Sequence, residues 1–183
     1  MSIIELILTS FSLAMDAFSV SICKGLSINK LTISKKLLIA SYFSVFQMMM
    51  PLYGYYLGNK FYIYVKDVDH FIVLFILSLI GLNMIKEAFS KDISLDDKLD
   101  IKTMLLLSIA TSIDALAVGI TFDMLNVNLL LACSLIGIIT FIMCYIGVIL
   151  GNKIGLKFRN KSLILGGVIL ILIGIKTLFG HIF

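Results

Sequence analysis

Two aspartates lie in the middle of apolar stretches, and similar local sequences surround both of them. The segments read Ser12-Leu-Ala-Met-Asp16-Ala-Phe-Ser-Val20 and Ala110-Thr-Ser-Ile-Asp114-Ala-Leu-Ala-Val118. A carboxylate at the centre of a lipid-spanning helix costs roughly 2.5–3.5 kcal/mol on insertion scales. Two such acids therefore need compensation, which a partner side chain, a proton or a bound cation can supply.

Carboxylates with nearby hydroxyl and amide oxygens favour a hard divalent cation. Mg²⁺, Ca²⁺ and Mn²⁺ prefer oxygen ligands, whereas zinc and copper recruit His and Cys, and neither histidine lies near the middle of an apolar segment. Two aspartates would neutralise one such cation. We predict Asp16 and Asp114 as its ligands. Further oxygens, as ligands or along the pathway, are expected from Ser12, Ser19, Gln47, Thr111, Ser112 and Thr140.

The same acids could also carry protons. Low-dielectric surroundings disfavour the charged carboxylate, whereas an arriving dication favours it. We therefore expect at least one aspartate to be protonated in the empty site and to release its proton when metal binds, which would permit metal-for-proton exchange. Met15 and Ile113, the neighbours of the two acids, are predicted to face the packing side of their helices.

The elements that must position these acids are membrane-spanning helices. The composition is 60% hydrophobic and only 14% charged, and each of six apolar segments is close to the ~20 residues that a helix needs to cross a bilayer. We predict an all-α polytopic membrane protein. The predicted spans are Ile3–Cys23, Leu37–Gly58, Phe71–Ile85, Thr103–Phe122, Asn128–Leu150 and Ser162–Phe179.

The basic residues are concentrated in alternate loops. This distribution predicts the orientation of the chain in the membrane and argues against a nucleic-acid partner. Twelve of the fifteen Lys and Arg residues follow the first, third and fifth spans. By the positive-inside rule that side is cytoplasmic, so both termini are predicted outside. The residues are Lys24, Lys30, Lys35 and Lys36, then Lys86, Lys91, Lys98 and Lys102, and then Lys153, Lys157, Arg159 and Lys161.

The chain also repeats internally. A shift of 98 residues superposes Asp16 on Asp114, and a shift of 93 superposes Gly54-Tyr-Tyr-Leu-Gly58-Asn59-Lys60 on Gly147-Val-Ile-Leu-Gly151-Asn152-Lys153. Because each unit has three helices, the second unit enters the membrane from the opposite face, as in the inverted repeats of many secondary transporters. We predict a single transmembrane domain, 1–183, with repeat one at 1–90, a cytoplasmic linker at 91–102 and repeat two at 103–183.

Two further sets of residues are given structural roles. The three cysteines, Cys23, Cys133 and Cys144, are odd in number and lie in or beside apolar segments, so we expect buried reduced thiols. The lysines Lys24, Lys86 and Lys176 lie towards the ends of spans, and we expect them to reach the membrane interface instead of pairing with the aspartates.

At these residues the chain resembles the MntP family of small bacterial manganese efflux pumps, within the LysE-type exporter superfamily. The resemblance runs the whole length and rests on Met15-Asp16-Ala17-Phe18, Ala110-Thr-Ser-Ile-Asp114-Ala and Phe43-Ser-Val-Phe-Gln47. It implies export of Mn²⁺ across the bacterial plasma membrane, with Asp16 and Asp114 as the essential pair. Some relatives carry Glu at position 47, where this chain offers an amide oxygen instead.

Several alternatives remain open at this stage. The superfamily also favours an exporter of an amino acid or another small cation. From another class, an intramembrane aspartyl hydrolase would use paired aspartates, although the Gly-Asp nucleophile segment of such proteases is absent. A signalling or assembly role is a residual reading. The preferred hypothesis is a carrier, not an enzyme, with Mn²⁺ as substrate, membrane lipid as surroundings and no resident cofactor; a homo-oligomer is compatible with the sequence.

Overall fold

Six helices form the chain in the computed structural model, which describes residues 3–28, 30–65, 69–89, 100–124, 127–157 and 159–179. No strand occurs within these ranges, so the predicted all-α class is confirmed for them. The helices are α1 (Ile3–Ser27), α2 (Ile33–Val65), α3 (Asp69–Phe89), α4 (Ile101–Met124), α5 (Leu129–Lys157) and α6 (Arg159–Phe179).

Three helices begin at residues whose side chains satisfy free backbone N–H groups. Thr32 Oγ1 accepts from Lys35 N at 3.4 Å before α2, and Asn128 Oδ1 accepts from Leu131 N at 3.2 Å before α5. Asp100 accepts from the backbone nitrogens of Lys102 and Thr103, at 3.3 and 3.0 Å, before α4. Such N-caps fix where a helix starts, so α4 begins two residues earlier than the predicted span at Thr103.

Four of the helices are long and apolar enough to cross a membrane. They are Ile3–Ser27, Ile33–Leu57, Ile101–Phe122 and Leu129–Gly155. In α3 and α6 the apolar stretches among the described residues are shorter, at Val73–Lys86 and Leu163–Lys176. Large apolar side chains point outwards, including Ile4 at 67%, Phe75 at 68% and Leu130 at 74% exposed. Such an apolar surface is stable in contact with lipid. Together with the long apolar helices, it shows that the chain is a multi-pass membrane protein.

The second helix is longer than the sequence predicts. We expected a span over Leu37–Gly58, whereas α2 runs from Ile33 to Val65 and includes Pro51. The predicted span followed the central apolar stretch, whereas the helix also includes Ser34, Lys35 and Lys36 at its start and continues past Asn59 and Lys60 near its end. Backbone hydrogen bonding does not stop where the apolar stretch ends. Proline is tolerated inside membrane helices when neighbouring groups accommodate the freed backbone atoms.

Glycines bring the helices into near backbone contact. On α5, Gly147, Gly151 and Gly155 face in turn the backbone of Phe18, Ile22 and Leu26 on α1. A second set joins α2 to α4, where Gly54 faces the carbonyl of Leu116 and Gly119 faces Pro51. In the third pair, Gly81 of α3 faces Gly167 of α6. Each glycine is required by the space, because an added Cβ would overlap backbone atoms of the partner helix or, at Gly147, the side-chain oxygen of Ser21.

One buried cluster draws residues from all six helices, so both halves of the chain share a core. It includes Cys23 and Cys144, and Cys133 is buried elsewhere; all three thiols are free, as expected. Ile113 packs against this cluster, which confirms its predicted orientation. The expectation for Met15 was wrong: its side chain is 43% exposed, because the core-facing side of α1 is taken by small residues such as Ala14 and Ala17.

Candidate functional site

The carboxyl groups of Asp16 and Asp114 lie within hydrogen-bonding distance of each other, across the contact between α1 and α4. Asp16 is half-buried and Asp114 is exposed. A hydrogen bond between two carboxyl groups requires one proton, with the protonated group donating to the other. Two residues that are 98 positions apart in sequence thus form one pair, which can hold either a shared proton or a cation.

Gln47 links a third helix to this pair. Its side chain is 1% exposed, and Nε2 donates a 2.9 Å hydrogen bond to the backbone oxygen of Leu13, one turn before Asp16 on α1. The bond uses the amide nitrogen, so the carbonyl oxygen is the atom of Gln47 that can serve as a ligand. The sequence prediction that Gln47 belongs near the site is consistent with this placement.

Three of the predicted hydroxyls bond to their own helices. Ser19 donates to the oxygen of Met15 at 2.9 Å, and Thr111 donates to the oxygen of Leu107 at 3.0 Å. Ser112 likewise donates to the oxygen of Ser108 at 2.7 Å. Each oxygen keeps lone pairs after donating its proton, so all three can still act as acceptors. Ser12 is exposed on α1.

Thr140 differs from the other hydroxyls. It is fully buried on α5, and its Oγ1 has no hydrogen-bond partner. Membrane-protein interiors rarely leave such a group unsatisfied, because a buried polar group without a partner costs free energy. The shift of 93 residues that relates α2 to α5 places Thr140 at the position of Gln47.

The acidic part of the site consists of two residues. Within the described ranges, no group of three or more His, Cys, Asp and Glu side chains could hold a metal ion. A cation at Asp16 and Asp114 would therefore complete its shell with neutral oxygens or water. Mn²⁺ and Mg²⁺ commonly accept such a shell.

Comparisons with known proteins identify the family. The family model described as "Mntp: Putative manganese efflux pump" matches residues 30–178. A curated relative from Campylobacter jejuni is 50% identical over 185 residues, covering 100% of this chain and 99% of the relative. The chain belongs to the MntP family. It is also 47% identical to a relative from Acetivibrio thermocellus, over 100% of this chain and 93% of that protein.

A relative from Methanobrevibacter smithii is 48% identical over 181 residues, covering 98% of both chains. All three relatives carry the name "Putative manganese efflux pump MntP". No solved structure matches the chain.

In this MntP-family chain, sequence reasoning missed one charged neighbour of the pair. Lys176, on the last turns of α6, lies close enough to Asp16 for its charge to act on the carboxylate. We expected this lysine to reach the membrane interface, since it lies near the end of its helix. The position of Lys176 depends on how far α6 extends relative to α1. The residue spacing within α6 does not predict this.

A cavity of about 150 Å³ lies towards the C-terminal end of α1, and neither Asp16 nor Asp114 is among its lining residues. Its polar lining comes from Lys24, Ser27, Asn83 and Thr103. Val20, one turn after Asp16, lines it together with Leu107.

Proposed function

We propose that this protein exports Mn²⁺ across the bacterial plasma membrane as a secondary active carrier, and that it is not an enzyme. The relatives' shared name supports the substrate and the direction. The observation that carries the proposal is the meeting of Asp16 and Asp114 within a membrane-embedded bundle. Two carboxylates there match the charge of one Mn²⁺ ion, which lipid alone would exclude.

In this proposal the two aspartates are the ligands of the substrate ion. Gln47 contributes its amide oxygen from α2, and Thr140 contributes a hydroxyl that the protein itself leaves unpaired. Ser19, Thr111 and Ser112 are acceptors near the acids on their own helices, and Ser12 lies on the exposed side of α1. Such a set of hard oxygens favours Mn²⁺ or Mg²⁺ over zinc or copper.

The proposed architecture is six transmembrane helices in two inverted repeats of one domain. Equivalent contacts support it, since Gly54 faces Leu116. Gly147 lies 93 positions after Gly54, and it faces Phe18, which lies 98 positions before Leu116. Successive glycines of α5 face successive turns of α1 in the same order, so the two helices run parallel. Parallel membrane helices are separated by an even number of chain reversals. With α2 and α4 crossing the membrane, that number is even only if α3 crosses it as well. The proposed boundaries are 1–90, 91–102 and 103–183, with both termini outside.

We further propose that protons drive export. One proton bridges the aspartates in the empty site, and Mn²⁺ displaces it because the same oxygens cannot bind both. Inward movement of protons would then return the empty carrier. In proteoliposomes, an imposed pH gradient should accelerate Mn²⁺ transport, and collapsing that gradient should slow it. Transport that ignores the gradient would reject the coupling while leaving the metal site standing.

The substrate site is tested by Mn²⁺ accumulation in inside-out vesicles. We compare the native chain with Asp16→Asn and Asp114→Asn, each of which removes one charge at nearly constant volume. Asp100→Asn, the same exchange at a helix cap outside the spans, is the matched control. Both site variants should lose accumulation, whereas the control should keep it. Accumulation retained in both site variants would contradict the proposed site.

A further inference from the structure

One face of α1 carries both an aspartate and part of the cavity lining. Four residues recur there at spacings of four, four and three: Asp16, Val20, Lys24 and Ser27. Such spacings place them on the same side of the helix. The last three line the cavity of about 150 Å³. Since an α-helix rises about 1.5 Å per residue, Val20 lies about 6 Å along the helix axis from Asp16.

A face of α4 repeats this arrangement in the other half of the chain. Thr103 and Leu107 line the cavity, and Asp114 lies two turns after Leu107 on the same face. Along α1, Val20 lies between Asp16 and the polar lining residues. Along α4, Leu107 lies between Thr103 and Asp114. On both helices, therefore, an apolar residue separates the acid from the polar part of the cavity.

Val20 and Leu107 are closely packed, whereas the equivalent residues at the opposite ends of the two helices are not. Val20 is 0% and Leu107 1% exposed, and both belong to the cluster that all six helices share. A shift of 98 residues places Val20 on Val118 and Thr9 on Leu107. Val118 and Thr9 are only half-buried, and Asp114 is exposed. The bundle is thus closed between the aspartates and the cavity, and looser on their other side.

The cavity offers oxygen acceptors to the water shell of an ion. The hydroxyl of Ser27 donates to the backbone oxygen of Lys24 at 2.8 Å, and that of Thr103 donates to the carboxylate of Asp100 at 2.5 Å. Both hydroxyl oxygens therefore present lone pairs, and Asn83 adds an amide oxygen. At about 30 Å³ for each water, the volume holds about five waters. The charge of Lys24 opposes tight binding of a cation, which suits a site that the ion must leave again.

We propose that Val20 and Leu107 form a gate between the aspartate pair and the cavity, and that the cavity is a vestibule in which a hydrated divalent cation waits. The inference rests on the proposed function. With both termini outside, as proposed, the vestibule faces the cytoplasm. The gate is shut in the described conformation. A narrow apolar constriction excludes water, so an ion passes only when α1 and α4 separate at this level.

The first test weakens the gate and measures leakage. Proteoliposomes are loaded with Mn²⁺, the pH gradient is collapsed, and escape of the ion is followed. Val20→Ser and Leu107→Ser each bring a hydroxyl into the constriction, so escape should become about tenfold faster, as for a barrier lower by about 1.4 kcal/mol. Val118→Ser is the matched control, because it makes the same exchange at the equivalent position on the looser side. Its escape rate should stay that of the native chain.

Cysteine labelling tests the gate without transport. The reagent 2-sulfonatoethyl methanethiosulfonate does not cross membranes; it forms a mixed disulfide with a thiol and releases methanesulfinate. In inside-out vesicles it should label Asn83→Cys and spare Val118→Cys, and in right-side-out vesicles the preference should reverse. Adding Leu107→Ser should make Val118→Cys reactive from the cytoplasmic side as well. The native chain, whose three cysteines are buried, is the control.

Several outcomes would overturn the proposal. Unchanged escape in both serine variants would do so, as would a Val118→Cys that stays protected from the cytoplasmic side after Leu107→Ser is added. An equal rise of escape in Val118→Ser would indicate general loosening instead of a gate. Val20→Ala and Leu107→Ala, which keep the constriction apolar but widen it, replace a serine variant that does not fold. Failure of the proposed function is distinguishable, because the labelling pattern does not require Mn²⁺ and would persist in a carrier of another ion.

Discussion

The hydroxyl of Ser44 donates a 2.8 Å hydrogen bond to the backbone oxygen of Gly137, the residue exactly 93 positions later in the chain. This is the shift that relates α2 to α5 in the sequence. In two units that are related by a twofold axis, corresponding residues contact each other only close to that axis. In the proposed inverted repeat, the axis would therefore pass through the crossing of α2 and α5, one turn from Gln47 and Thr140.

Glycines at two crossings should respond differently to one added methyl group. At Gly119 a Cβ would lie 2.6 Å from Pro51 Cα, so the α2 and α4 backbones must separate. At Gly137 the nearest atom would be Cβ of the flexible Met48, at 3.2 Å. Gly119→Ala should lower the free energy of unfolding by roughly 1–3 kcal/mol. Gly137→Ala should be neutral or stabilising, by up to roughly 1 kcal/mol.

Thermal unfolding of the purified variants in one detergent measures both effects. Transport by Gly119→Ala should fall together with its stability. Equal stability of the two variants would show that the contact between Gly119 and Pro51 does not limit helix approach.

The unpaired hydroxyl of Thr140 should oppose stability and support binding. Thr140→Val keeps the shape and removes a buried oxygen that has no partner. The empty protein should gain about 1 kcal/mol of unfolding free energy, while its affinity for Mn²⁺ should fall. Thr140→Ser retains the oxygen and is the matched control. A valine variant that is more stable and binds Mn²⁺ as the native chain does would remove Thr140 from the ligand set.

Gln47 should contribute to both helix packing and binding. Gln47→Leu removes the 2.9 Å hydrogen bond to Leu13 and the amide oxygen together. The bond is worth about 1 kcal/mol of unfolding free energy, and loss of a group that supports a metal commonly weakens affinity by about tenfold or more. Titration with Mn²⁺ measures the second effect. Ser44→Ala, one turn earlier on α2, should leave affinity unchanged; equal affinities in the two variants would count against Gln47.

The cap of α4 predicts an acid-sensitive contribution to stability. Hydrogen bonds from the Thr103 side chain and backbone hold the pKa of Asp100 below its ordinary value of 3.8. Because the folded carboxyl binds its proton less readily than the unfolded one, the contribution is complete above that ordinary value. It is lost as the pH falls through the lower folded-state value.

Unfolding of the native chain and of Asp100→Asn is compared across this acidic range. Asparagine keeps an acceptor for the cap but does not titrate. The stability difference between the two proteins should shrink as the pH falls. A difference that stays constant down to the lowest pH would show that the cap does not depend on the charge of Asp100.

Much of the site follows from residue type and repetition. The duplicated sequence around Asp16 and Asp114 predicted that they would meet, and their carboxyl groups interact in the structure. Their role as metal ligands stays a prediction. Four predicted spans match helices that can cross a membrane. These features can be predicted from single segments, because the length of an apolar stretch and the presence of an acid within it do not depend on the rest of the chain.

What the sequence missed depends on how helices are placed against each other. Lys176 lies near the end of α6, and its electrostatic effect on Asp16 depends on how α6 is placed against α1. The exposure of Met15 depends on which side of α1 meets α5. The cap at Asp100 could have been found, because an aspartate directly before an apolar run is a common helix start.

The mismatch between Gln47 and Thr140 has an energetic consequence for the transport cycle. A carrier made of two identical inverted halves would have inward-open and outward-open shapes of equal free energy. Here one half secures its position with a hydrogen bond to Leu13, and the other leaves a hydroxyl unsatisfied. In the proposed inverted-repeat carrier, the two empty shapes are therefore expected to differ in free energy, so that one of them predominates until an ion binds.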